Sequence, residues 1–425
     1  MKQTILSIYY FFSRYANPAE RRVGEFFQRV NEKDAPHKVE KALTALVQHN
    51  LAVVNLWTEH RYKGYAYLTK QKRKELYEHL SAIQADFARF EQTQHVDTKK
   101  LLAQIAHKGV DTAKLSTKQE KLAYMASIMR YLSPQNNRYR YRASSSFGRL
   151  LQDPTKDVLE GDCNQIVTLY IALYGARYDV TDLKLTLYPG HVALHFAGVD
   201  VETTNATFAT YKKEGQTTAP IHEIVSVNLL DTTDIHYKTA AVTPRVLLES
   251  ARLAYAVSSH RALVKKNLEV AYHNTVRQLL KEHRHKQALQ YARVSKSYEL
   301  IELSAQNGAS YALGQKDFAT ARKFAAASTK KQSLLKTIDR NEAASLYNKK
   351  QYMAAEKLFR KMGDHDMVQQ CYRGLYVQAQ SSLGSLKTVD DVKAHAATVR
   401  KMDHYAKKSG DVQLQQHSKK LTKYL

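Results

Sequence analysis

Two cysteines occur in 425 residues, Cys163 and Cys371. So few thiols exclude a disulfide scaffold and a Cys-rich zinc module, and they leave a Cys near a His as a possible nucleophile. Cys163 follows Gly161-Asp162, which break the chain. It precedes a strongly apolar run through Ile166, Val167, Leu169, Tyr170, Leu173 and Tyr174. That spacing predicts a helix with Cys163 in its first turn. Unpaired N–H groups and the positive dipole end gather there, and both favour thiolate over thiol. The same amides could hold a developing oxyanion. Asp162 acts in the opposite sense, because a carboxylate beside a thiol opposes its ionisation.

Strand patterns follow at Leu183–Tyr188, His191–Phe196 and Val199–Thr203, with Pro189-Gly190 as the first turn. This order can bring a helix-terminal Cys, a His at the start of a strand and a carboxylate together. His191 would activate the thiol and later protonate the leaving group, and the carboxylate would orient the imidazole. Asp200 and Glu202 share one strand face, so alternation does not choose between them. His195 shares a face with His191, but no third ligand is placed nearby. No metal and no cofactor is expected. Cys371, near Val368 and Leu375 on a helical pattern, reads as a core residue.

The stretches "GDC", "PGHVALHF" and "VDVETTNA", in that order over residues 161–206, resemble the transglutaminase-like superfamily, in its microbial branch with helical repeats. The resemblance covers roughly residues 115–245. It implies a papain-like α+β domain with Cys163 as nucleophile, His191 as general base and Glu202 as third member, with Asp200 as the alternative. It also implies a cysteine peptidase or amidohydrolase working through an acyl-thioester on a peptide or protein substrate.

Other elements must carry this site. The patterns Ile5-Ile8-Tyr9-Phe12, Val23-Phe26-Phe27-Val30 and Val39-Leu43-Leu46-Val47 predict three helices. Leu51–Trp57 and Tyr62–Leu68 read as two strands joined by a turn. Three helices and a hairpin, with "VEKALTALVQHNLAVVNLW" leading into "YKGYAYLT", resemble a winged helix-turn-helix over residues 3–92. In a DNA-binding member, His37, Lys38, Lys41, Thr44 and Gln48 would face the major groove, and Arg61 and Lys63 would sit on the wing. The basic, tyrosine-interleaved "NNRYRYRASS" reads as a solvated loop or edge strand, with stacking on single-stranded nucleic acid as the alternative.

From about Pro244 the patterns are helical to the end. Ala288, Ala321 and Ala355 recur at intervals of 33 and 34 residues, flanked three positions away by His285, Phe318 and Tyr352 and by Tyr291, Phe324 and Leu358. Small residues permit close helix crossing, and aromatics fill the groove beside them. This resembles tetratricopeptide repeats. Net charge is +25 over the chain. Counted by segment it is +6 over residues 1–100, +7 over 101–150, −6 over 151–250 and +18 over 251–425. Such an excess on the repeats points to an acidic protein partner or to nucleic acid.

The expected fold is therefore multidomain α+β: a winged helix at 1–92, a transglutaminase-like domain at 93–245 and a helical solenoid at 246–425. No apolar run approaches the length of a membrane helix. Ile5–Phe12 reads as an amphipathic helix rather than a signal peptide, and a cytoplasmic location is expected. The alternative function is a non-catalytic scaffold in a DNA-binding regulator that uses the repeats to bind proteins.

Overall fold

The computed structural model describes residues 13–144, 146–209, 216–232, 242–384 and 386–425. The predicted helix on Ile5, Ile8, Tyr9 and Phe12 lies outside them. The chain divides into two compact units, Met1–Thr275 and Val276–Leu425, where three modules were expected. About 68% of it is helix, with little sheet. The fold is mostly helical with a small antiparallel sheet.

In the first unit, helices α1 (Pro18–Arg29), α2 (Pro36–Tyr62) and α3 (Lys70–Gln92) lead into α4 (Thr98–His107), α5 (Ala113–Ser116) and α6 (Gln119–Tyr131). A parallel pair follows, β1 (Tyr139–Tyr141) and β2 (Leu159–Gly161), with α7 (Phe147–Leu150) between them. Helix α8 (Cys163–Gly175) precedes β3 (Leu183–Tyr188), β4 (His191–Phe196), β5 (Val199–Glu202), β6 (Thr207–Ala209) and β7 (Thr217–Pro220). These five form an antiparallel sheet in the order β6-β5-β4-β3-β7. Helices α9 (Ile224–Leu230), α10 (Pro244–Val257) and α11 (Arg261–Lys281) follow, and the boundary between the units falls inside α11.

Helix α8 lies at the centre of this unit. Residues on every side of it are buried, from Gln165 and Ile166 to Leu173 and Tyr174. A helix apolar all round must be enclosed. It packs against α2, α6 and α9 and against β4 of the sheet.

The segment predicted as a wing is instead part of that enclosure. Leu51–Trp57 continues α2 after a kink at Asn50, where φ is −142° and ψ is 24°. Leu51, Ala52, Val54, Asn55, Leu56 and Trp57 are all buried. A buried helical run with Val53 and Val54 in it has the same composition as a strand, and only its surroundings distinguish the two. The residues after Tyr62 form no hairpin. Gly64 turns the chain at a φ of +78°, and the Lys63 amine donates to the Asn228 carbonyl at 2.6 Å. The winged helix is thus not formed.

Two buried carboxylates secure the packing. Glu20 pairs with Arg73 at 2.5 Å, with both side chains fully enclosed, and accepts from Tyr77 Oη at 2.8 Å. Glu59 accepts from Ser146 Oγ at 2.8 Å, from the Phe147 amide and from the Gly148 amide at 3.2 Å. These bonds cap α7 where its own N–H groups lack partners. Burial holds the Glu59 carboxyl above its ordinary range, although Lys63 and these donors pull it down.

The second unit is a run of helices: α12 (His285–Ser295), α13 (Tyr298–Gly314), α14 (Phe318–Ala325), α15 (Lys331–Asn348), α16 (Tyr352–Met362), α17 (His365–Ser381), α18 (Val389–Ala394), α19 (Ala396–Ser409) and α20 (Val412–Thr422). Its buried apolar residues fall into several small clusters, each shared by neighbouring helices. That is how helical repeats distribute their stability. Ala288, Ala321 and Ala355 are each fully buried. A Cβ on Gly308 of α13 would lie 2.5 Å from the Phe324 ring, and one on Gly374 of α17 would lie 2.5 Å from the Tyr352 ring. The aromatics flanking the alanines therefore occupy notches that only glycine leaves open.

Helix dominates and the sheet is confined to five short strands, which fits a helical-repeat protein and not the papain-like fold expected for residues 93–245. The strands predicted at 183–188, 191–196 and 199–203 form as part of that small sheet, the third ending at Glu202.

Two measurements test these contacts by urea denaturation. Arg73→Ala leaves Glu20 buried and unpaired, and should lower the unfolding free energy by about 3–5 kcal/mol. Gly308→Ala forces Phe324 off its seat and should cost about 1–3 kcal/mol, in the transition of the repeat unit.

Candidate active site

Cys163 is the first residue of α8 and is nearly buried. Asp162 precedes it as N-cap, and its carboxylate accepts from the amides of Asn164 at 2.9 Å and Gln165 at 3.4 Å. Two of the amides expected to serve an oxyanion are therefore occupied, and the Cys163 amide is the one of that turn that Asp162 does not take. Asp231 holds the same corner from another side. It accepts from Asn164 Nδ2 at 2.9 Å and Gln165 Nε2 at 3.2 Å. Burial above all, and then the Asp231 charge, pushes the Asp162 carboxyl up to about 7.

His191 opens β4. A two-residue turn, Pro189-Gly190, sets it beside Tyr188, with Gly190 at a φ of +74°. A β-carbon is strained at that φ, so glycine suits the turn. Tyr188 packs on the imidazole with ring centroids 5.0 Å apart. His191 Nε2 lies 2.7 Å from Glu202 Oε2. Glu202 Oε1 accepts from Thr204 Oγ1 at 2.6 Å and the Thr204 amide at 3.2 Å. The neighbouring Cys163 thiol and then the Glu202 carboxylate raise the imidazole to about 9, against burial. Burial alone would raise Glu202, but His191 and Thr204 outweigh it and bring the carboxyl to about 2.

The register explains which carboxylate is used. His195 stands opposite Asp200, and Phe196 opposite Val199. The two-residue turn Ala197-Gly198, with φ of +49° and +95°, sets that pairing. Asp200 Oδ1 is engaged by His195 Nδ1 at 2.9 Å and Thr186 Oγ1 at 2.7 Å. Continuing the register puts the fully buried Ala193 across from Glu202. Glu202 then reaches His191 along the diagonal, a span that suits a longer carboxylate. The structure thus brings Cys163, His191 and Glu202 together and commits Asp200 elsewhere. Among the described residues no group of three or more His, Cys, Asp or Glu could hold a metal ion.

Cys163 and His191 open onto a cavity of about 500 Å³, bounded also by Tyr141, Asp231 and Asn267. Sequence reasoning missed Asp231 and Thr204. Asp231 lies 68 positions after Cys163 on a different element, and nothing in the local pattern announces it. Thr204 stands within "ETT", two residues after Glu202, where a side-chain bond back to a carboxylate is a common local arrangement.

The residues expected to meet DNA differ in exposure. His37, Lys38, Lys41 and Arg61 are exposed. Gln48 is a tie inside the unit: its amide donates to the carbonyls of Gly175 at 2.9 Å and Tyr178 at 3.1 Å, and accepts from the Val180 amide at 2.8 Å. Thr44 lines a small cavity with Glu40. Lys63 is buried on Asn228. With no wing, these residues lack the geometry that was to present them to a groove.

Two outcomes are expected. Asp162→Asn keeps a good cap and removes a carboxyl that folding holds in its neutral form. The raised value stabilises the wild-type fold fully only below about pH 4, and that stability is lost as pH rises through about 7. The variant should therefore be the more stable at pH 8, by on the order of 2–4 kcal/mol, with the difference shrinking toward pH 4. Second, iodoacetamide should modify Cys163 at pH 6 while Cys371 stays unmodified, as peptide mapping would read. Burial and the nearby Glu356 push the Cys371 thiol up to about 11, and the side chain is fully enclosed.

No family model matches this chain, and no curated protein matches it. Among solved structures it is similar to menin, whose crystal structure reveals the binding site for Mixed Lineage Leukemia protein. That likeness has a TM-score of 0.34 and 12% identity, and covers 91% of this chain and 95% of the other. The resemblance to the transglutaminase-like superfamily, with a winged helix before it, is overturned by the helix-dominated build. No helix among the described residues is long and apolar enough to cross a membrane.

Proposed function

We propose that the unit Met1–Thr275 is a thiol enzyme that cleaves or transfers an acyl group at an amide bond, a cysteine peptidase or amidohydrolase in type. One observation carries the reading: His191 lies between the Cys163 thiol and the Glu202 carboxylate, bonded at 2.7 Å to the latter, at the wall of a 500 Å³ cavity. An imidazole beside a thiol and backed by a carboxylate is placed to exchange a proton with the sulfur. The Cys163 sulfur attacks the substrate carbonyl carbon and a C–S bond forms. As the tetrahedral species collapses, the C–N bond breaks and His191 passes its proton to the departing nitrogen. Water or an amine then attacks the thioester, with His191 taking its proton, and sulfur leaves as thiolate. Glu202 holds the ring and stabilises its charged form throughout. The Cys163 amide, left free by Asp162, is the donor available to the oxyanion.

A free thiol nucleophile suits a reducing compartment such as the cytoplasm. The helical repeats suit recruitment of a substrate or partner protein, and their positive charge favours an acidic one.

The test uses an activated ester, p-nitrophenyl acetate, with intact-mass detection of the acyl-enzyme. Wild type should give a burst and a trapped acyl group on Cys163. Cys163→Ser should abolish both, His191→Ala should lower the acylation rate about 10²–10⁴-fold, and Glu202→Gln should lower it less and narrow its pH range. Equal rates in wild type and His191→Ala would end the catalytic reading in favour of an inert scaffold.

A further inference from the structure

Beside the catalytic cavity lies a larger one of about 760 Å³ whose walls are basic. Arg140, Arg142, Arg149 and Lys156 line it against Asp157 and Glu160. The two cavities meet at Ala143, which lines both. Strand β1 forms the partition. Alternation sends Tyr139 and Tyr141 to one face and Arg140 and Arg142 to the other. Tyr141 accordingly lines the catalytic cavity, while Arg140 and Arg142 line the basic one.

The positive charge is held in place, not scattered. β1 pairs in parallel with β2, which sets Arg140 against Glu160. Both arginines converge on that one carboxylate: Arg140 Nε at 3.0 Å and Arg142 Nη1 at 2.7 Å from Glu160. Arg140 first and Arg142 second keep the Glu160 carboxyl below its ordinary range. One carboxylate thus organises two guanidiniums that remain largely open to solvent. A guanidinium has five donors in a planar fork, so Arg140 can take a second carboxylate while keeping the first. Arg149 stands over the Tyr65 and Tyr67 rings, 5.8 Å from each centroid.

On its other side the catalytic cavity runs into an apolar one of about 320 Å³, sharing Leu230, Thr232 and Asn267 with it and walled by Leu247 and Val270. A cleft that extends both ways from the nucleophile suits an extended chain more than a small free anion. Its two ends differ in chemistry, so the chain it fits has a direction.

We propose that Arg140 and Arg142 form a specificity subsite for an acidic side chain of a peptide substrate, next to the residue whose carbonyl meets Cys163. The proposal rests on the thiol-enzyme reading above and names the substrate class of that site. Residues across the partition are neighbours along a strand, so a peptide lying over Ala143 sets one residue at Cys163 and presents an adjacent one to the arginines. The Arg pair reads carboxylates by bidentate hydrogen bonding, with charge assistance.

The test uses peptidyl acyloxymethyl ketones on the full chain. They differ only in carrying Glu, Gln or Lys in turn at each of the two positions before the reactive ketone, and the readout is the second-order rate of Cys163 modification. At one position the Glu probe should react at least tenfold faster than the Lys probe, with Gln between. Arg140→Glu with Arg142→Glu should abolish or invert that order. Glu160→Gln removes the competing negative charge while its amide oxygen can still accept from an arginine, and should widen the preference. Iodoacetamide is too small to reach the subsite and should modify all these variants at the wild-type rate. Glu and Lys probes reacting equally in wild type at both positions, with iodoacetamide still dependent on His191, would overturn the subsite and leave the thiol enzyme standing. Loss of the His191 dependence would instead remove the enzyme reading beneath it. Protection of Cys163 by poly(A) at concentrations where poly-glutamate gives none would assign the basic cavity to nucleic acid and overturn the proposal.

Discussion

A helix that is apolar on every side has to be surrounded, and the first unit is what surrounds α8. The kinked α2, helix α6, helix α9 and strand β4 each take one side of it. The enclosure fixes the position and direction of the helix start, where Cys163 sits. It also removes water from the Asp162 corner, and that is why a carboxyl there stays protonated near neutrality. The chemistry of the site therefore begins as a packing problem.

The polar ties have the same origin. Gln48 satisfies backbone groups where the chain leaves α8, at Gly175, Tyr178 and Val180. Glu59 satisfies the start of α7. Neither could be left without these partners once buried, because an unpaired backbone group costs about as much as the bond it lacks. The charge pattern follows too. Acidic groups concentrate around Cys163 at Asp162, Glu202 and Asp231, and basic ones lie just across β1.

Much of the site was legible in the sequence, and the reasons are local. Cys163 could be placed in a first helical turn because Gly161-Asp162 interrupts the chain before a continuous apolar run. His191 could be placed at a strand start because Pro-Gly precedes an alternating segment. The choice between Asp200 and Glu202 was not legible from alternation, since it depends on a diagonal reach past Ala193 that only the register reveals. The helical course of Leu51–Trp57, where a strand is expected, has a physical cause. Leu51–Trp57 is buried at every position but the half-buried Val53, so its composition signals enclosure and says nothing of helix or strand. Gln48 and Lys63 look like surface readers of DNA by residue type, and both are spent on interior backbone carbonyls. The repeat of Ala288, Ala321 and Ala355 was legible because each repeat meets only its neighbours, so sequence period and spatial period coincide.

The turn Ala197-Gly198 acts as the ruler of this site. It has two residues, both with positive φ, and it alone fixes which residue of β5 faces which of β4. Side chains alternate with a period of two, so one residue inserted there would turn Glu202 to the opposite face of the sheet. His191 would lose its partner although neither residue of the pair had changed. Substitutions around the site can tune its chemistry by degrees, but a change of length at this turn has no intermediate settings. The span from Phe196 to Val199 is for that reason under a length constraint stricter than any constraint on its residue types.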